Sequence, residues 1–231
     1  FIRIGLFKKQ QKEVIYRNVK KYNAFPKYFC WSNLIFALSS GLPILIFNEY
    51  FPIALIAIYS IANSIIIQPA SLISSSIRPV LLSKLAQNKK QDTSITVIFN
   101  KVFYVLLIAG VVLSIGVYFI LPPLVVFVFG DSWVGSGTLT RLLIPVFIWY
   151  FISIPSSVAA KIYPFKRYTL LYTIVSLILK IGSIFIAVEA GIDFYNVILI
   201  FALVTLFTAL VNHFIINHKI KKHELSIKKS D

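Results

Sequence analysis

Methionine is absent from the 231-residue sequence, cysteine occurs once, and acidic residues number only eight. Each shortage closes off a class of function. The lone cysteine, Cys30, excludes an intrachain disulfide and any cysteine-based metal framework. His213, His218 and His223 stand five apart at the C-terminal end, without the four-residue step that stacks two ligands on one helical face. No carboxylate joins them, so they read as a solvated basic flank rather than a metal site. The one Gly-x-Gly, Gly135-Ser136-Gly137, lacks the glycine and lysine that complete a phosphate-binding loop. Neither a Ser/His/Asp set nor a carboxylate pair falls at a plausible depth, so the chain reads as no enzyme and no cofactor is expected. With no initiator methionine and an opening FIRIGLF in mid-phrase, the sequence reads as the C-terminal part of a longer protein.

Apolar residues are what the chain has in abundance. They make up 58% of it, against about 45–50% in soluble domains, and the mean hydropathy is +0.84. That composition predicts an all-α integral membrane protein. Only 13% of residues are charged, yet the net charge is +15. In a soluble protein this excess would suggest nucleic acid, but here Lys and Arg fall between apolar runs, as in cytoplasmic loops. No nucleic-acid partner is expected.

The order of segments follows from these runs. Residues 1–27 carry eight cations and one acid and read as a basic cytoplasmic segment lying near the headgroups. A six-helix transmembrane lobe over 28–217 is predicted, with spans at about 28–47, 50–82, 95–121, 139–163, 168–188 and 194–217. Pro122-Pro123 is read as the stop of the third span, and the segment after it, with Gly130, Asp131 and Trp133, as a shallow surface-lying element. Arg141 is expected to pair with Asp131. A basic, frayed cytoplasmic tail covers 218–231. The basic loops alternate with turns carrying Glu49, Asp131, Glu189 and Asp193, which places both ends in the cytoplasm.

Two polar stripes interrupt this pattern. On the second span Ser60, Ser64, Gln68, Ser71, Ser75 and Arg78 fall within roughly 80° of one another at helical spacing, with Asn63 beside them. Such a stripe is either a seam of small residues against a neighbouring helix or the wall of a hydrated cavity. Gln68 and Arg78 favour the cavity. On the fifth span Thr169, Thr173, Ser176 and Lys180 share a face, with Lys180 near mid-bilayer. A charge there costs about 2.5–3.5 kcal/mol on insertion scales, so it should face water or a partner. No acid lies within a turn of it on its own helix, so a free ammonium in a cavity would attract phosphate or another anion. Asn33 on the first span reads as an interhelical hydrogen bond or as a further cavity residue.

The phrase YNAFPKYFCWSNLIFALSSGLPILIF, running on to IYSIANSIIIQPASLISSSIRPVLLSKLAQ, and the phrase FVFGDSWVGSGTLTRLLIPVFIWYFISIPSS carry a family resemblance. The chain resembles the C-terminal half of Wzx-type O-antigen or polysaccharide flippases, of the multidrug/oligosaccharidyl-lipid/polysaccharide exporter superfamily. The resemblance implies half of a two-lobe, 12-helix fold around a central cavity, in the bacterial inner membrane, with an N-terminal lobe missing from this sequence. It further implies translocation of an undecaprenyl-pyrophosphate-linked, anionic oligosaccharide by alternating access, with H+ or Na+ as the coupling ion. Lys180, Arg78, Gln68, Ser64, Ser71, Asn63 and Asn33 would be its cavity residues, and Pro43, Pro69 and Pro155 its flex points. Three other readings compete. A drug or cation exporter of the same superfamily should show acids in the cavity, and a membrane-embedded glycosyltransferase or polymerase should have a large outer loop. A packing or scaffold protein without transport is the third.

Overall fold

The computed structural model describes residues 24–90, 95–163 and 165–228, so the predicted headgroup segment in 1–27 and the end of the tail, 229–231, lie largely or wholly outside the described residues. The chain folds into α1 (Ala24–Tyr50), α2 (Ile53–Lys90), α3 (Ile95–Phe129), α4 (Val134–Leu142), α5 (Ile144–Ile162), α6 (Lys166–Glu189) and α7 (Phe194–Lys228). A short 3-10 turn, Asp131–Trp133, precedes α4. Every helix but α4 is long and apolar enough to cross a membrane, giving six crossings, and no strand occurs among the described residues. The protein is an all-α, six-helix membrane lobe.

Helix α5 is its axis. It packs against α2, α3 and α7, and 56% of its apolar window is buried, more than in any other crossing. Phe151, Ile152, Ile154 and Ala159 are sealed inside it. Helix α1 instead rests on α6, and α6 on α7. At the end away from the basic loops, Phe47, Tyr59, Phe51 and Phe194 interlock edge to face, with centroids 4.9–6.2 Å apart, and tie α1, α2 and α7 together. Ile108, Val112, Phe119 and Ile120 on α3 are exposed, which is the apolar face lipid covers.

Helix α3 differs from expectation. It runs through Pro122 and Pro123 to Phe129 rather than stopping there. Proline cannot donate to the carbonyl four residues back, so Tyr118 and Phe119 lose their helical partners. Arg141 of α4 supplies one replacement: its Nε donates to the Tyr118 carbonyl at 3.2 Å, and its guanidinium lies 4.8 Å from the Tyr118 ring centroid. The expected pair with Asp131 does not form among the described residues.

Helix α4 differs as well. It is not a surface-lying element but is wedged among α2, α3 and α7, with Ser136, Gly137, Leu139 and Thr140 buried. The Gly-Ser-Gly run explains the wedge. A Cβ on Gly137 would stand 3.0 Å from the Pro122 Cα, and one on Gly135 would stand 3.1 Å from the Tyr195 hydroxyl. Ser136 donates to the Ile58 carbonyl at 3.0 Å. These glycines admit neighbouring helices, as small residues do inside membranes. The fourth crossing then starts at Ile144, because Pro145 has no N–H to extend α4 and suits the first turn of a new helix.

The ends of the long helices are pinned. At 1.5 Å per residue α2, α3 and α7 each run roughly 50 Å, past the ~30 Å hydrocarbon layer. Glu224, near the end of α7, accepts from the Ile95 and Thr96 main-chain N–H at 2.7 and 3.1 Å and from the Thr96 hydroxyl at 2.8 Å. This carboxylate satisfies the open N-terminus of α3, and α7 stays helical to Lys228 where a frayed tail was expected.

Candidate functional site

Helices α1 and α2 follow one another in sequence but barely touch, since one leans on α6 and the other on α5. The gap between them is a cavity of about 480 Å³, floored by α5 and reaching α6 and α7. Helix α1 lends Ser32, Asn33 and Phe36 to its wall, and α2 lends Ser71, Ser74, Ser75 and Arg78. From α6 come Thr169, Tyr172 and Thr173, and from α7 Asn212.

The richest wall is α5. Ser153, Ser157 and Lys161 recur at four-residue steps, so they stand on one face, with Ser156 beside them and Trp149 and Tyr150 a turn earlier. Sequence reasoning passed over this face, although the serine–serine–lysine spacing was legible. Ser153 donates to the Tyr150 carbonyl at 3.3 Å and Ser157 to Ile154 at 2.8 Å, while Ser74 crosses from α2 to the same Tyr150 carbonyl at 3.2 Å. The Ser156 hydroxyl is buried with no partner among the described residues. Half-buried Arg78 reaches Ser157 at 3.4 Å, a long contact that leaves most of its fork free.

Charge in this cavity has one sign. Arg78 and Lys161 line it, and none of its lining residues is acidic. Among the described residues no three histidines, cysteines or carboxylates gather to hold a metal. At the basic end outside the spans, burial and then the nearby Glu224 carboxylate push the Tyr163 hydroxyl up to about 12, so it stays a neutral donor.

The structure divides the expected site residues. Asn33, Ser71 and Arg78 meet in the cavity. Ser64 and Gln68 are exposed on a different part of α2, outside the lining, and half-buried Asn63 is not in the lining either. Ser60 and Ser64 donate back to Ile56 and Ser60 carbonyls at 2.8 Å, so these hydroxyls need neither water nor a neighbour. The α6 stripe also splits. Thr169 and Thr173 line the cavity, but Ser176 meets Thr208 at 3.4 Å, and Tyr168 donates to Asn212 at 2.9 Å, forming a seam between α6 and α7.

Lys180 lies just outside the lining. It is 7% exposed, and its Nζ stands 4.9 Å from the centroid of Trp149, a cavity residue. The ring gives the ammonium a cation–π partner where a carboxylate or water was expected. His213 departs further from expectation. It is 1% exposed, stacked on Phe99 and Phe103 at 4.9 and 3.5 Å, and belongs to the α3–α7 packing rather than a solvated flank.

No curated protein and no solved structure gives a significant match to the chain. A family model described as polysaccharide biosynthesis protein matches residues 9–138, which is more than half of the sequence and includes α1, α2 and α3. The chain therefore belongs to that polysaccharide biosynthesis family.

Proposed function

We propose that this lobe helps to move an anionic, lipid-linked oligosaccharide across the bacterial inner membrane, as the Wzx-type flippases it resembles are taken to do. The carrying observation is the pairing of Arg78 and Lys161 in one hydroxyl-lined cavity without a carboxylate. A guanidinium fork and an ammonium are complementary to the oxygens of a pyrophosphate. The serine, threonine and asparagine wall offers donors and acceptors to sugar hydroxyls. The lipid tail remains in the bilayer, leaving through the gap between α1 and α2. The positive-inside rule sets the basic end, with Lys161, in the cytoplasm, so the anion enters from the side of synthesis.

No covalent step is involved. The lobe rocks against a companion lobe, which Ser64 and Gln68 face on the exposed side of α2, with Pro43, Pro69 and Pro155 absorbing the bend and H+ or Na+ supplying the drive. A cation exporter is disfavoured by the absence of acid in the cavity lining. The test is the double variant Arg78→Gln/Lys161→Gln in cells whose surface glycan depends on this protein. Surface glycan should fall by at least about tenfold, the loss expected when charge-assisted contacts are removed, with the protein at normal level in the membrane. Undiminished glycan at normal membrane level would overturn the proposal.

A further inference from the structure

The cavity ends on an aromatic plug. Trp149 lines the cavity, Phe36 from α1 stacks on its indole with centroids 5.9 Å apart and planes 15° from parallel, and Lys180 lies over the same ring. Lys180 itself is not in the lining and is 93% removed from solvent by its neighbours, given its 7% exposure. Among the described residues it has no ion pair, so the indole is the group that compensates its charge. A ring quadrupole offsets only part of the cost of holding an ammonium away from water. No hydrogen bond fixes the ring at its polar edge, because the Trp149 Nε1 is buried without a hydrogen-bond partner, so apolar packing alone holds it in place. Its stacking partner rides on α1, a helix that packs on α6 and scarcely on α2.

We propose that Trp149 is a gate over a second anion site. When α1 withdraws Phe36, the indole turns off Lys180, and the bared ammonium takes over an anion first held by Arg78 and Lys161. The site accepts a phosphate or pyrophosphate group, since Lys180 is a compact point charge with three donors and no competing carboxylate on its own helix within a turn. The inference rests on the anion-binding reading of the cavity, and it adds a sequence of two positions to it. With the plug closed the first position is filled alone; opening the plug is what commits the anion inward.

The experiment uses the full protein in nanodiscs, with inorganic pyrophosphate as the probe. Trp31→Phe and Trp133→Phe leave Trp149 as the sole tryptophan of the three. Pyrophosphate should then shift the Trp149 emission to longer wavelength and increase its quenching by iodide. Lys180→Gln should abolish that response while pyrophosphate still binds, whereas Arg78→Gln should weaken binding by about tenfold. A second reading needs no ligand: a water-soluble succinimidyl ester should acylate Lys180 at least about tenfold more in Trp149→Ala than in the parent, as expected if the ring is the barrier. Ser153→Cys, in a Cys30→Ser background, reports separately whether water reaches the cavity. Pyrophosphate binding without a Trp149 response, or equal acylation of Lys180 in both proteins with Ser153→Cys accessible, overturns the gate and leaves the cavity reading standing. No pyrophosphate binding at all overturns both.

Discussion

Arg141 donates its Nε hydrogen to the main-chain carbonyl of Tyr118, and that carbonyl is the one Pro122 leaves without a helical partner. A side chain on α4 thus repairs a defect written into α3. The repair offsets one of the two hydrogen bonds that consecutive prolines remove from a helix of 35 residues. It also accounts for a cation on the side of the lobe where basic residues are otherwise scarce.

The coupling is measurable by a double-mutant cycle. Arg141→Met should destabilise the protein by about 1–3 kcal/mol, the cost of leaving a carbonyl unsatisfied together with a lost ring contact. Pro122→Ala restores an N–H to the same carbonyl, so the loss from Arg141→Met should shrink in that background. Thermal unfolding in detergent reads both. An Arg141→Met penalty of the same size with and without Pro122 would sever the two residues.

Glu224 holds the start of α3 by three hydrogen bonds from a position more than 120 residues later in the chain. Glu224→Ala should therefore cost about 1–2 kcal/mol, as loss of a strong N-terminal cap does, and should free both helix ends together. Limited proteolysis with trypsin should cut faster near Lys101 and near Lys221 in the variant. Protection unchanged at both positions would mean that the cap does not hold them.

His213 tests packing against chemistry. Its imidazole is stacked on Phe99 and Phe103 and has no hydrogen bond at Nδ1 among the described residues. His213→Phe keeps the stack and removes a buried polar atom, so stability should hold or rise, by up to about 1 kcal/mol. His213→Ala should lose about 2–4 kcal/mol by emptying the same space. Surface glycan should survive the phenylalanine change; its loss at normal protein level would assign the ring a role beyond packing.

Much of the fold is legible in the sequence, and the reason is local. Whether about 20 residues cross a bilayer depends on their own composition, so six crossings follow from hydropathy and from the basic loops between them. The prolines misled for the same reason. Pro122 and Pro123 do remove hydrogen bonds, but the donor that replaces the one lost to Pro122 is Arg141, and no rule applied to α3 alone reveals it. The Gly-Ser-Gly run carries no such local signal, and only the neighbours Pro122, Ile58 and Tyr195 give it its purpose.

The amino-acid sequence by itself determined that this is a basic, multi-pass, all-helical membrane protein, and that polar residues recur at helical spacing on α2 and α6. It even contained the period of Ser153, Ser157 and Lys161. Only the tertiary structure decided what those stripes face. A helical stripe defines a direction on one helix, and its meaning depends on the rotation and partner of that helix, which are settled by contacts far apart in the chain. So Ser71 and Arg78 line a cavity while Ser64 and Gln68, further along the same face, lie exposed outside it, and Ser176 spends its hydroxyl on Thr208. Lys180, the charge without a partner in the sequence, acquired one in Trp149 because α5 runs through the centre of the lobe.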